Sequence, residues 1–147
     1  MIDRGSGETQ TTLRGLLDTS VVIVLPRLES DDLPQFPQIS TITLVELSVG
    51  PLVATTALER SARQAVLQQT EADFDPIPFD AGAARAFGQV AASLGQAGRR
   101  SKARSFDAMI AAVALANGLP LYTANQDDFV GIVGLTVHAV AAREAKG

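Results

Sequence analysis

The stretch FDAMIAAVALANG, Phe106 to Gly118, constrains this chain more than any other. Nine consecutive residues, Ala108 to Ala116, are apolar. Such a run reads as a helix built for burial, and Asn117-Gly118 closes it with a C-terminal cap signal. An ionisable residue, Asp107, stands directly against the run. Burying a carboxylate without a partner is costly. Asp107 is therefore either a surface acid at a helix start or one member of a site whose other groups lie elsewhere in the chain.

The segments around that helix alternate between short apolar strands and helices. LRGLLD, Leu13 to Asp18, is a first strand ending in an acid. TSVVIVL reads as strand by its β-branched content, and DDLPQFPQ, Asp31 to Gln38, as a turn. ISTI is a short strand, and TLVELSVG a helix closed by Gly50. Ala54 to Thr70 is an amphipathic helix with Leu58, Ala62, Ala65, Val66 and Gln69 at helical spacing. Phe74 to Phe79 is extended. Asp80 to Gly98 is an Ala-rich helix with Asp80 as N-cap. LPLYTAN is a buried strand, and GLTVHAV, Gly134 to Val140, a last one. This alternation predicts an α/β fold with a mainly parallel sheet.

A chain of 147 residues is expected to form one domain. Residues 1–12 read as a flexible N-terminal extension, 13–140 as the domain, and 141–147 as a C-terminal tail. With 46% hydrophobic and 19% charged residues the composition is that of a globular protein. Cysteine is absent, which excludes disulfides and thiolate metal sites. Met1 to Gly15 does not read as a signal peptide, and no apolar run is long enough to span a bilayer. A cytoplasmic protein is expected. The net charge of −4 argues against a general nucleic-acid binder. Arg99, Arg100, Lys102 and Arg104 nonetheless concentrate basic charge just before Asp107. They read either as a solvated loop or as contacts to phosphates.

In open α/β sheets, sites form outside the carboxyl ends of the strands. Asp18 ends the first strand, Glu46 follows ISTI, Asp107 opens the apolar helix, and Asn125, Asp127 and Asp128 follow LPLYT. Each has a plainer explanation. Asp18 is a good N-cap residue. Thr43 and Glu46 match a capping box. Asp107 suits the positive end of a helix dipole, and Asn125 with Asp128 could cap a turn. As a set they are harder to dismiss. Clustered carboxylates repel, and a shared hard cation, Mg²⁺ or Mn²⁺, relieves that. The one histidine, His138, lies in an alternating strand and reads as structural. An acid-only site suits phosphoryl chemistry.

LLDTSV, TLVELSVG, FDAMIAAVALANGLPLYTANQDDF and LTVHAV, in this order over Leu13 to Val140, resemble the PIN-domain ribonucleases. The likeness is to the VapC-type toxins of toxin–antitoxin pairs. The resemblance implies a three-layer α/β/α sandwich with a parallel sheet of four or five strands. It places SVVIVL in a helix, against its propensity. It implies Asp18, Glu46, Asp107 and Asp128 as the catalytic acids, with Asp18, Asp107 and Asp128 on the metal. Thr19, Ser20, Thr123 and Asn125 match the smaller polar residues of the site, while Asp127 is an additional neighbouring acid. Also implied are Mg²⁺- or Mn²⁺-dependent cleavage of RNA by metal-activated water, a homodimer, and inhibition by a VapB-type antitoxin.

Other α/β proteins with acidic pockets fit less well. A response-regulator receiver needs a lysine after a late strand, and the only lysines are Lys102 and Lys146. A haloacid-dehalogenase-type phosphatase needs an acid two residues after the first, where this chain has Ser20. The remaining alternative is a non-catalytic binding or signalling module whose acids are helix caps.

Overall fold

The computed structural model describes residues 13–96 and 105–142. The N-terminal extension 1–12, the basic cluster Arg99, Arg100, Lys102 and Arg104, and residues 143–147 of the tail lie outside the described residues. The elements run β1 (Arg14–Leu17), α1 (Thr19–Val24), β2 (Phe36–Gln38), α2 (Thr41–Val49), α3 (Ala57–Asp73), α4 (Ala81–Gln96), α5 (Ser105–Ala116), β3 (Leu121–Thr123) and β4 (Val137–Ala139). Short 3₁₀ turns occupy Leu25–Arg27, Ser30–Asp32, Gly50–Val53 and Gln126–Phe129. No helix among the described residues is long and apolar enough to cross a membrane.

The four strands pair in parallel in the order β2-β1-β3-β4. Register fixes the layers. Leu16 stands beside Leu121, and Leu17 beside Tyr122, so neighbouring positions on each strand face opposite sides. Leu16, Leu121 and Val137 pack with Ala83, Val90 and Leu94 of α4 and Ile110 to Ala114 of α5. Leu17 and Tyr122 pack on the other side with Val21 and Val22 of α1, Leu44 and Leu47 of α2, and Val66, Leu67 and Phe74. The result is the expected α/β/α sandwich.

The apolar helix is as buried as its composition demands, with Ala108 and Ile110 to Ala114 all in the core. Its end is a Schellman motif: the N–H of Leu119 donates to the carbonyl of Ala114 at 2.9 Å, and that of Gly118 to Leu115 at 3.2 Å. Gly118 sits at φ +65°, a conformation that glycine adopts without strain. A second glycine is demanded by space. A Cβ on Gly15 would stand 2.5 Å from Tyr122 Cε1 and 3.0 Å from Pro34 Cγ. The opposite face of the Tyr122 ring stacks on His138, with centroids 4.7 Å apart. His138 thus makes a packing contact with the strand next to its own. Because the ring is held on both sides, Gly15→Ala is expected to cost about 1–3 kcal/mol. A thermal melt checks this, and an unchanged melting temperature would mean the ring can move aside.

Several local expectations are corrected. TSVVIVL is helix, as the resemblance required: Asp18 caps it, and α1 carries the chain away from the end of β1. ISTI is not a strand. The edge strand β2 lies earlier, at Phe36–Gln38, within what read as a turn. An edge strand tolerates Pro37, whose missing N–H costs the sheet nothing on its free side. Ser40 is the N-cap of α2, its Oγ accepting from the N–H of Thr43 at 3.4 Å. α2 therefore starts before Thr43, and the capping-box reading of Thr43 and Glu46 fails. Gly50 closes α2 as its C-cap, as expected. At φ −49° it leads into the 3₁₀ turn with Pro51. The amphipathic reading of α3 holds only for its second half. Leu58 is 82% exposed, and Ala62, Ala65 and Gln69 also face solvent. Val66, Leu67 and Phe74 carry the packing instead.

Candidate active site

The crossovers leave β1 toward β2 on one side and arrive at β3 on the other, so the crevice between the carboxyl ends of β1 and β3 is the switch point of the sheet. Asp18 follows β1 at that point and is 3% exposed. Its N–H donates to the carbonyl of Tyr122 at 3.0 Å, which ties it to β3. Oδ1 accepts from Ser20 Oγ at 2.5 Å and from the N–H of Val21 at 3.1 Å. Oδ2 accepts from Thr123 Oγ1 at 2.5 Å. Both hydroxyls are themselves held by backbone donors: Ala124 N–H on Ser20 Oγ at 3.0 Å, and Asn125 N–H on Thr123 Oγ1 at 2.9 Å. Each chain runs from amide to hydroxyl to carboxylate, an order that strengthens every link.

Asp18 is therefore an N-cap, as the plain reading had it, but capping explains only half of its contacts. A cap needs one oxygen at a helix start. The second oxygen is fixed by a hydroxyl from a strand 105 residues away in sequence.

Glu46 enters the crevice from α2, half-buried. Oε1 accepts from Thr19 Oγ1 at 2.6 Å, and Thr19 Oγ1 lies 3.1 Å from Thr43 Oγ1. Burial pushes both carboxyls above their ordinary range. For Asp18 burial outweighs the opposing hydrogen bonds from Ser20, Thr123 and the backbone. For Glu46 burial comes first, opposed by the Thr19 bond and reinforced by the charge of Asp18. The two acids thus feel one another across the crevice.

Asp107 lies in the first turn of α5, half-buried, one turn ahead of fully buried Ile110 and Ala111 on the same face. α5 runs back toward the start of β3, which puts its N-terminus at the carboxyl end of the sheet. Asp128 lies in the 3₁₀ turn after β3, its N–H donating to the carbonyl of Asn125 at 3.0 Å. Asp128 is half-buried beside the core residue Phe129, whereas Asp127 is exposed. Burial thus separates the two adjacent aspartates and favours Asp128 as the inward one. All four acids reach the same end of the sheet, but they do not converge into one tight cluster. Among the described residues no three His, Asp or Glu side chains are grouped so as to hold a metal ion. Asp18 and Glu46 interact directly.

That pair fits a hard divalent cation. Its donors are carboxylate oxygens, and Mg²⁺ is commonly held by one or two carboxylates together with waters and substrate phosphate. Of the predicted polar residues, Thr19, Ser20 and Thr123 contact the acids directly. Asn125 contributes through its backbone, to Thr123 and Asp128. Thr43, completely buried, is the residue that sequence reasoning misplaced. Its spacing of three from Glu46 was the available signal, since it puts both on one helix face.

The chain matches the PIN-domain family over residues 16–133, and it belongs to that family. It is 38% identical over 127 residues to Ribonuclease VapC5 of Mycobacterium tuberculosis, a match spanning 84% of this chain and 91% of that protein. Its fold is similar to that in the VapBC-5 toxin–antitoxin structure from the same organism, with TM-score 0.73 and 36% identity. That likeness covers 88% of this chain and 99% of the other. It is also similar to a chain of DNA-bound VapBC from Salmonella typhimurium, with TM-score 0.68 and 26% identity, covering 86% and 98%.

Proposed function

We propose that this protein is the ribonuclease toxin of a toxin–antitoxin pair, cutting RNA with Mg²⁺ or Mn²⁺ and restrained by a VapB-type antitoxin. The observation that carries this reading is Asp18. A carboxylate buried at the switch point of the sheet, with both oxygens fixed by hydroxyls and a second carboxyl facing it, is expensive as mere scaffolding. The identity to a ribonuclease over most of the chain supports the same reading.

In this reading Asp18 would hold the cation with Asp107 and Asp128, and Glu46 would reach it through a water, which it would orient for attack. A bound divalent cation would neutralise charge on the phosphodiester and make a water acidic enough to attack. The protein's own work is positioning. Ser20 and Thr123 lock the Asp18 carboxylate, so no reorganisation is needed when the phosphate arrives. Thr19 holds Glu46 toward Asp18. Arg99, Arg100, Lys102 and Arg104 are assigned to the RNA backbone, a contact that needs charge and no base recognition.

The test is cleavage by the purified chain of a panel of tRNA, rRNA and mRNA, with Mg²⁺, with Mn²⁺ and with EDTA. Discrete internal cuts are expected with either metal and none with EDTA. Intact RNA throughout, or equal cutting in EDTA, would overturn the assignment.

A further inference from the structure

Thr43 is fully buried at the third position of α2, and its backbone N–H is already satisfied by the Ser40 cap. Its hydroxyl therefore plays no part in starting the helix. It lies 3.1 Å from Thr19 Oγ1, and that oxygen lies 2.6 Å from Glu46 Oε1. Proton counting gives the direction of both bonds. An ionised carboxylate only accepts, and a threonine hydroxyl has a single proton. Thr19 must spend its proton on Glu46, so Thr43 is the donor to Thr19. Three side chains from two helices thus form a directed chain that ends on the Glu46 carboxylate.

We propose that Thr43 is a positioning residue: by donating to Thr19 it commits the Thr19 hydroxyl to Glu46 and holds that carboxylate facing Asp18. Without the Thr43 hydroxyl, the Thr19 rotor is no longer polarised toward Glu46. The carboxylate then gains rotamers directed to solvent. Thr43 matters to cleavage only if the site cuts RNA as proposed above, whereas its hold on Glu46 is independent of that activity.

The experiment compares Thr43→Val, which keeps the shape and removes the hydroxyl, with Thr43→Ser, which keeps the hydroxyl. The full-length chain is melted across a Mg²⁺ titration and assayed for RNA cleavage at the same Mg²⁺ concentrations. One neutral hydrogen bond corresponds to about a 3- to 10-fold effect. Thr43→Val is expected to need that much more Mg²⁺ for half of the melting-temperature rise and for half-maximal cleavage, while Thr43→Ser follows the wild type. A double-mutant cycle of Thr43→Val with Glu46→Ala, melted in EDTA, is expected to be non-additive by a similar factor in the unfolding constant. Unchanged Mg²⁺ titrations with an additive cycle would overturn the proposal. So would a Thr43→Ser protein as impaired as Thr43→Val, because packing rather than the hydroxyl would then be responsible. If the wild type neither cleaves RNA nor responds to metal, the ribonuclease reading falls and the EDTA cycle alone decides for or against Thr43.

Discussion

Asp18→Asn is expected to abolish metal-dependent RNA cleavage while leaving the fold intact. Partners that merely orient a metal ligand are typically worth 10- to 100-fold, so loss of the central carboxylate should exceed about a hundredfold. Asn preserves the side-chain shape and keeps one carbonyl oxygen for the N–H of Val21, so α1 retains a cap. The charge and one of the two acceptor oxygens are lost. Thr123 then meets an amide N–H and must turn its own proton away, while Ser20 keeps its acceptor. Cleavage rates for wild type and mutant at matched Mg²⁺, with circular dichroism confirming the fold, decide the matter. Wild-type cleavage by a folded Asp18→Asn protein would remove Asp18 from the chemistry and return it to capping alone.

What could be read from the sequence, and what could not, follows from the range of the interactions involved. The apolar helix was plain because burial of Ile110 to Ala114 leaves a one-dimensional trace. Its end at Gly118 was equally plain, since the motif is complete within six residues. The segment after Asp18 was not. Val21 to Val24 have strand propensity, and what makes them helix is the Asp18 cap and the need to carry the chain away from the end of β1. β2 was hidden for the opposite reason: FPQ has little strand character, and parallel pairing with β1 defines it. At the site, each acid was visible individually and its partners were not. The Thr123–Asp18 bond joins residues 105 apart, and the Thr43–Thr19 contact residues 24 apart. Spacing within one segment cannot report such bonds, so Thr43 with Glu46 looked like a local cap. The same limit applies to the convergence of the acids. Strand ends foretold the common rim, but not the direct coupling of Asp18 with Glu46 across the crevice.

Metal-free stability should carry the signature of that pair. Both carboxyls lie above their ordinary range in the fold, chiefly through burial. The native state therefore holds protons that the unfolded chain has already released, and stability falls with rising pH over that interval. The contribution is complete below the ordinary carboxylate values, near pH 4, and is lost as pH climbs through the folded-state values. Asp18→Asn removes the Asp18 part. Its altered hydrogen bonds add an offset that does not titrate, so the difference between wild type and mutant reports the Asp18 carboxyl together with its coupling to Glu46. In EDTA the wild type should lose ground steadily against Asp18→Asn as pH rises from about 4 to 7. Mg²⁺ binds the ionised form, so at neutral pH it should restore the wild type by about 2.7 kcal/mol at a hundredfold excess over Kd. For a chain of this length that is a rise of roughly 5–10 °C in Tm, and the mutant should show little of it. A difference between the two proteins that stays flat with pH, or an equal response to Mg²⁺, would mean that Asp18 carries no buried charge for a cation to relieve.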